Sequence, residues 1–195
     1  MAWGFRILEG NHDAADLARG SYPKHPGTHI RAIRSRWRDW ADRGATWTWC
    51  GIRFGALGGA FSVDAASRVA GVNWWPGETT SDEDVALLAE QGGLDVMVTH
   101  DAPYGVTVPL RRSLPPELAG PSDDNRIKVA NGLKACRPKL LVHGHLHVAY
   151  AGLFDHGDGT RTRIEGLSSN LEGNLGARGI LELPSLAFTR PDRVR

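Results

Sequence analysis

Short apolar runs that stop abruptly at polar residues recur along this chain. Phe5-Arg6-Ile7-Leu8 alternates and predicts a strand leading to Gly10. Thr46 to Cys50 alternates with Trp47 and Trp49, Gly51 turns the chain, and Ile52 to Leu57 follows. That pattern predicts a hairpin continuing into a third run, Gly59 to Val63. The glycines within residues 55–60 predict close approach of backbone to backbone. Leu94 to Thr99 predicts a buried strand with His100 at its end, broken by Asp101-Ala102-Pro103. Leu140 to Val142 predicts another, ending at His143. Val148 to Phe154, Arg161 to Gly166 and Gly179 to Leu183 predict short strands separated by Asp-Gly and Gly-Asn turns.

Helical signals lie between these runs. Thr80 to Gly92 is the clearest: Thr80-Ser81-Asp82-Glu83 fits a capping box, acids fill the first turn, and Gly92-Gly93 stops it. Val85, Leu87 and Leu88 give it a buried stripe. A second helix is predicted from Ser122 to about Cys136, ended by Pro138, after an irregular Pro-rich stretch over 104–121. Ala14 to Arg19 predicts one or two turns. Residues 30–42 are mixed: Ile30, Ile33, Trp37 and Trp40 loosely follow helical spacing, punctuated by Arg31, Arg34, Arg36 and Arg38. That stretch reads either as an anion-binding stripe or as a solvated helix face. Thr189 to Arg195 reads as a frayed tail. Strands alternating with helices predict an α/β fold, and 195 residues are most simply one domain, residues 1–195.

Composition changes this picture little. The 24 glycines and 11 prolines exceed the usual share of roughly one residue in eight and predict abundant loop. A formal net charge of +1 gives no strong field for nucleic acid or membrane surfaces, so nucleic acid enters only as a substrate. Two cysteines, Cys50 and Cys136, are too few for a disulfide framework. No apolar run approaches the roughly 20 residues that span a bilayer, and Met1 to Gly10 lacks the regions of a signal peptide. The expectation is a soluble cytoplasmic protein with no membrane association.

The candidate chemistry lies where the apolar runs end. Gly10-Asn11-His12-Asp13, Thr99-His100-Asp101 and His143-Gly144-His145-Leu146-His147 each place ligand or proton-moving groups after such a run. Residues two apart in an extended chain point the same way, so His145 and His147 are expected to face one site. Neutral imidazole is the commonest protein ligand for divalent metals. Any one of these histidines alone reads as an ordinary polar residue at a strand end; the ordered set reads as a metal site. Three strand ends meeting at one edge of a sheet is how α/β proteins build sites.

In this order, G-N-H-D at 10–13, T-H-D-A-P at 99–103 and G-H-L-H at 144–147 resemble the calcineurin-like metallophosphoesterases of bacterial and phage type. The resemblance runs from about Phe5 to Leu183, and residues 57–64 resemble a strand of such members. It implies a β-sandwich flanked by helices and hydrolysis of a phosphomonoester or phosphodiester at a dinuclear centre of Mn²⁺, Zn²⁺ or Fe²⁺. Asn11, His100 and His145 correspond to ligands of one metal and His147 to a ligand of the other. His12 corresponds to the general acid and phosphate contact, with Asp13 orienting it. Trp74 and Trp75 stand as an aromatic wall for substrate, or else as a small satellite cluster under a loop. His143 has no ligand role in the pattern and is expected to be structural.

The departures matter equally. The family's D-x-H and G-D-x-x-D motifs, which supply the remaining ligands and the bridging carboxylate, do not occur before Gly10. The expectation is a shortened sandwich with a sheet face uncovered and one metal held in place of two. A carboxylate-free ligand set suits Zn²⁺ better than Mn²⁺ or Fe²⁺. Asp64, Glu78, Asp95 and Asp101 are alternative oxygen donors. Completion of the site by an upstream polypeptide or by a homo-oligomer is one account. A catalytically silent chain that binds one metal or a phosphorylated ligand is another.

Overall fold

The computed structural model describes residues 5–11, 13, 20–32, 38–110, 112–169 and 175–190. Its first strands are β1 (Phe5–Leu8), β2 (Ile30–Ala32), β3 (Arg38–Ala41), β4 (Thr46–Trp49) and β5 (Ile52–Leu57). Helix α1 (Asp82–Glu90), β6 (Val96–Thr99), helix α2 (Pro116–Cys136) and β7 (Leu140–His143) follow. The chain closes with β8 (Tyr150–Asp155), β9 (Arg161–Gly166), β10 (Ile180–Glu182) and β11 (Ala187–Thr189). The class is mixed α/β.

The main sheet has six strands in the order β4-β5-β6-β7-β9-β8. Strands β5, β6, β7 and β9 run parallel, with β4 and β8 antiparallel at the two edges. Parallel strands covered on both faces read as continuous apolar runs, which is what β6 and β7 show. Met97, Leu141 and Ile164 point to the helical side, where Leu88, Val129 and Leu133 meet them. Val96 and Leu140 point the other way, and Leu181, Leu183 and Leu186 around the β10–β11 hairpin pack on that face. The face expected to be uncovered is therefore occupied along these strands. A separate three-stranded sheet, ordered β1-β3-β2, sits beside Ala56 through Leu8, Ile30 and Ala41.

Local chemistry accounts for most boundaries. The β4–β5 hairpin turns on Cys50 and Gly51, whose φ values of 49° and 76° fit the left-handed pair that a two-residue hairpin loop demands. The capping box of α1 is shifted by one residue from its expected place. Ser81 Oγ accepts from Asp84 N at 3.0 Å, and Asp84 Oδ2 accepts from Ser81 N at 2.9 Å. Thr80 is instead buried, its hydroxyl donating to Gly58 O. Of the expected stripe on α1, Leu88 is fully buried while Val85 and Leu87 are half-buried.

Four expectations are corrected. Helix α2 begins at Pro116, six residues early, and carries Pro121 inside it. Pro116 sits in the first turn, where a missing N–H costs nothing. Burial of Ser122, Asn125, Val129 and Leu133 outweighs the one backbone bond that Pro121 forfeits. The described parts of residues 30–42 are strands, not helix, and Arg31 is neither solvated nor free for an anion: its Nε donates to both Asp42 oxygens at 2.8 and 2.9 Å. Residues 59–63 form a loop, held by Ala60 N to Glu78 O at 3.1 Å, rather than a strand. Of the expected tail, Thr189 closes β11 and Arg190 donates to Tyr150 O and Gly166 O, so these two are held in place, while residues 191–195 lie outside the described residues. The turns expected over 14–19 lie outside the described residues. Among the described residues, no helix is long and apolar enough to cross a membrane.

Candidate metal centre

Strands β6 and β7 lie side by side and parallel, so their C-terminal ends open on the same edge of the main sheet. His100 follows β6; Gly144 to His147 follow β7. The two ends are tied together by Gly144 N donating to His100 O at 3.1 Å. Asn11 arrives from a different sheet, two residues beyond Glu9 in the loop after β1.

That loop is seated by a buried ion pair. Glu9 and Arg43 are 0% and 4% exposed, and Arg43 Nε meets Glu9 Oε1. Arg43 also donates to the carbonyls of Gly77, Glu78 and Thr79. Gly58 lets the loop close on the main sheet: a Cβ there would lie 2.5 Å from Glu9 Cγ and 2.7 Å from Glu9 O. Gly10 serves the same end, since its Cβ would lie 2.8 Å from His100 Cε1.

The side chain of Asn11 is held in one orientation. Its Nδ2 donates to Ser62 Oγ at 2.7 Å, and Ser62 Oγ donates to Glu78 Oε2 at 2.6 Å. Ser62 N donates to Glu78 Oε1 at 2.7 Å. Asn11, Ser62 and Glu78 are all buried. With Nδ2 committed to this chain, Oδ1 faces His100 Nε2 at 3.0 Å. The His100 and His145 rings stand 5.1 Å apart, centroid to centroid.

Asn11, His100, His145 and His147 all line one cavity of about 340 Å³. The two histidines of G-H-L-H do not reach it by extended-chain alternation. Strand β7 ends at His143, and His145 and His147 both take left-handed backbone, φ 57° and 56°. Leu146 N donates to Gly144 O at 2.7 Å, closing a three-residue turn centred on His145. Both histidines line the cavity from a loop with left-handed backbone rather than from a strand.

Asn11 Oδ1 and His100 Nε2 stand at hydrogen-bonding distance, 3.0 Å, which is also about the separation of two atoms that each lie about 2.1 Å from one ion at roughly a right angle. Among the described residues, no three His, Cys, Asp or Glu side chains converge as a cation site. Any cation held here would need the amide oxygen of Asn11 beside the imidazoles. Of the four alternative carboxylates only Asp64 lines the cavity, and Arg68 holds both its oxygens at 2.8 and 2.5 Å. Glu78 is committed to Ser62, and Asp95 to Arg53 N and Lys139. Asp101 is fully buried, accepting from Ala102 N and Asn125 Nδ2; burial pushes its carboxyl up to about 6.

The other expected residues fall as follows. His12 lies outside the described residues. Asp13 is exposed, and its Oδ2 accepts from Gly10 N at 2.6 Å. Trp74 and Trp75 are half-buried and are not among the residues lining the cavity. His143 is structural, as expected: Nδ1 donates to Gly144 O and Nε2 accepts from Tyr150 OH at 2.7 Å. Its burial brings its pKa down to about 4. Sequence reasoning missed Arg112, which also lines the cavity, and the Ser62–Glu78 support. Neither carries a local motif.

No protein-family model matches the chain, and no curated protein matches its sequence.

Proposed function

We propose that this chain is a metal-dependent phosphoesterase, hydrolysing a phosphomonoester or phosphodiester, with a shortened form of the calcineurin-like metallophosphoesterase sandwich. The observation that carries this reading is that Asn11, His100, His145 and His147, from three separate segments, line one cavity, with Asn11 Oδ1 3.0 Å from His100 Nε2. The layering of helices, a mixed six-stranded sheet and smaller sheets is compatible with that fold.

Asn11 Oδ1 and the imidazoles of His100 and His145 would hold the ion, with His147 beside them. When bound, such an ion polarises the phosphoryl group and acidifies a bound water. Ser62 and Glu78 keep the Asn11 carbonyl, rather than its NH₂, turned to the cavity. His12, adjacent to Asn11 in sequence, is assigned the proton for the leaving oxygen. Asp13, which accepts from Gly10 N, is assigned the orienting of His12.

A second reading, a silent chain that binds one metal or a phosphorylated ligand, is favoured by one observation. The only carboxylate lining the cavity among the described residues is occupied by Arg68.

The test is hydrolysis of p-nitrophenyl phosphate and its bis ester by the chain with Zn²⁺ or Mn²⁺. The expected result is metal-dependent turnover that falls about 10²–10⁴-fold in His12→Ala with metal binding intact. His100→Ala should lose both. Zn²⁺ bound with no hydrolysis of either ester would select the silent reading. Equal loss of metal in His12→Ala would remove that residue from the role of acid.

A further inference from the structure

The cavity is mixed in its chemistry. Among the described residues, Asn11, Asp64, His100, Ser122, His145 and His147 share its lining with four aliphatic side chains, Val63, Leu110, Leu114 and Leu146, and with the cation Arg112. Val63 and Leu110 are 42% and 41% exposed, so their aliphatic surface is open to an occupant of the cavity. Arg112 is exposed, and among the described residues it makes no hydrogen bond or ion pair. Its planar fork suits the oxygens of a phosphoryl group. At about 340 Å³ the space matches the lower end of small-molecule pockets. It does not suit a nucleic-acid duplex, whose binding needs many phosphate contacts that a net charge of +1 does not provide.

We propose that Arg112 and this aliphatic wall form a specificity subsite selecting a small phosphoester whose leaving group is apolar and ring-sized, with Arg112 on the phosphoryl oxygens and the wall on the ring. This rests on the phosphoesterase reading, and it narrows the substrate class. A leaving group there covers Val63 and Leu110, which water otherwise wets. Burying an aryl face against them is worth about tenfold or more in affinity.

The test uses two non-hydrolysable probes, phenylphosphonate and methylphosphonate, titrated into the Zn²⁺-supplemented chain by calorimetry. Phenylphosphonate is expected to bind at least about tenfold more tightly. Leu110→Ser, at an exposed position that the fold tolerates, should bring the two within about threefold. Arg112→Gln should weaken both by about tenfold without changing their ratio. Equal affinity of the two probes, or a preference unmoved by Leu110→Ser, overturns the subsite. In that case zinc-dependent binding of both probes, lost in His100→Ala, leaves the phosphoesterase reading standing. Failure of both probes to bind, together with no ester hydrolysis, overturns the subsite and that reading alike.

Discussion

His145 and His147 each occupy backbone space that costs an L-residue about 1–2 kcal/mol. Glycine would fit both positions more cheaply, yet imidazoles stand there and line the cavity. Local stability is given up at these positions for side-chain placement. His143, two residues away, shows the opposite economy. It is 2% exposed, fully hydrogen-bonded and neutral. Its pKa is lowered by burial from 6.5 to about 4, so the stability it contributes is fully present above pH 6.5 and is lost as pH falls towards 4. The size is on the order of 3 kcal/mol. Asp101 works against it. Its pKa is raised by burial, so its contribution is greatest below pH 3.8 and is lost as pH rises through about 6. The two slopes largely cancel in the wild-type chain. His143→Gln keeps an acceptor for Tyr150 OH and removes only one of them. Urea unfolding of both proteins should show the cost of His143→Gln growing by roughly 3 kcal/mol between pH 4 and pH 7. A cost independent of pH would mean that His143 is not buried as a neutral ring.

Among the elements, α2 carries the clearest internal conflict. Pro121 lies in its sixth position, is exposed, and has no N–H for the carbonyl of Glu117. Pro121→Ala restores that bond at the loss of the rigidity proline gives the unfolded chain. The net expected gain is about 1–2 kcal/mol by chemical denaturation. A loss of stability would show that the proline shapes the entry of α2 onto the sheet. The same element explains where sequence reading stops. Strands β4 to β7 were legible because period, turn glycines and apolar runs are local signals. The start of α2 was not, because proline chemistry argues for a break and only tertiary burial of Ser122 and Asn125 overrides it. The described parts of residues 30–42 misled in the same way, with Ile33 and Trp37 of the expected helix lying outside the described residues. Their loose helical spacing lost to pairing of β2 with β3, fastened by Arg31 and Asp42, which are eleven positions apart.

Across the whole molecule, the candidate site depends on two sheets meeting. Its motif residues could be picked out because each follows an apolar run. The parts that bring them together could not, since they are long-range: Glu9 with Arg43, Asn11 with Ser62, and Gly10 against His100. The buried Glu9–Arg43 pair makes the seating of Asn11 a property of the folded chain rather than of its own loop. The central claim is that this junction binds a divalent ion. The direct measurement is a calorimetric titration of Zn²⁺ into the chain, repeated with Asn11→Ala and His100→Ala. One ion per chain is expected, with His100→Ala abolishing binding and Asn11→Ala weakening it at least tenfold, about 1.4 kcal/mol. Absence of binding to the wild-type chain, or binding unchanged in both variants, would contradict the account.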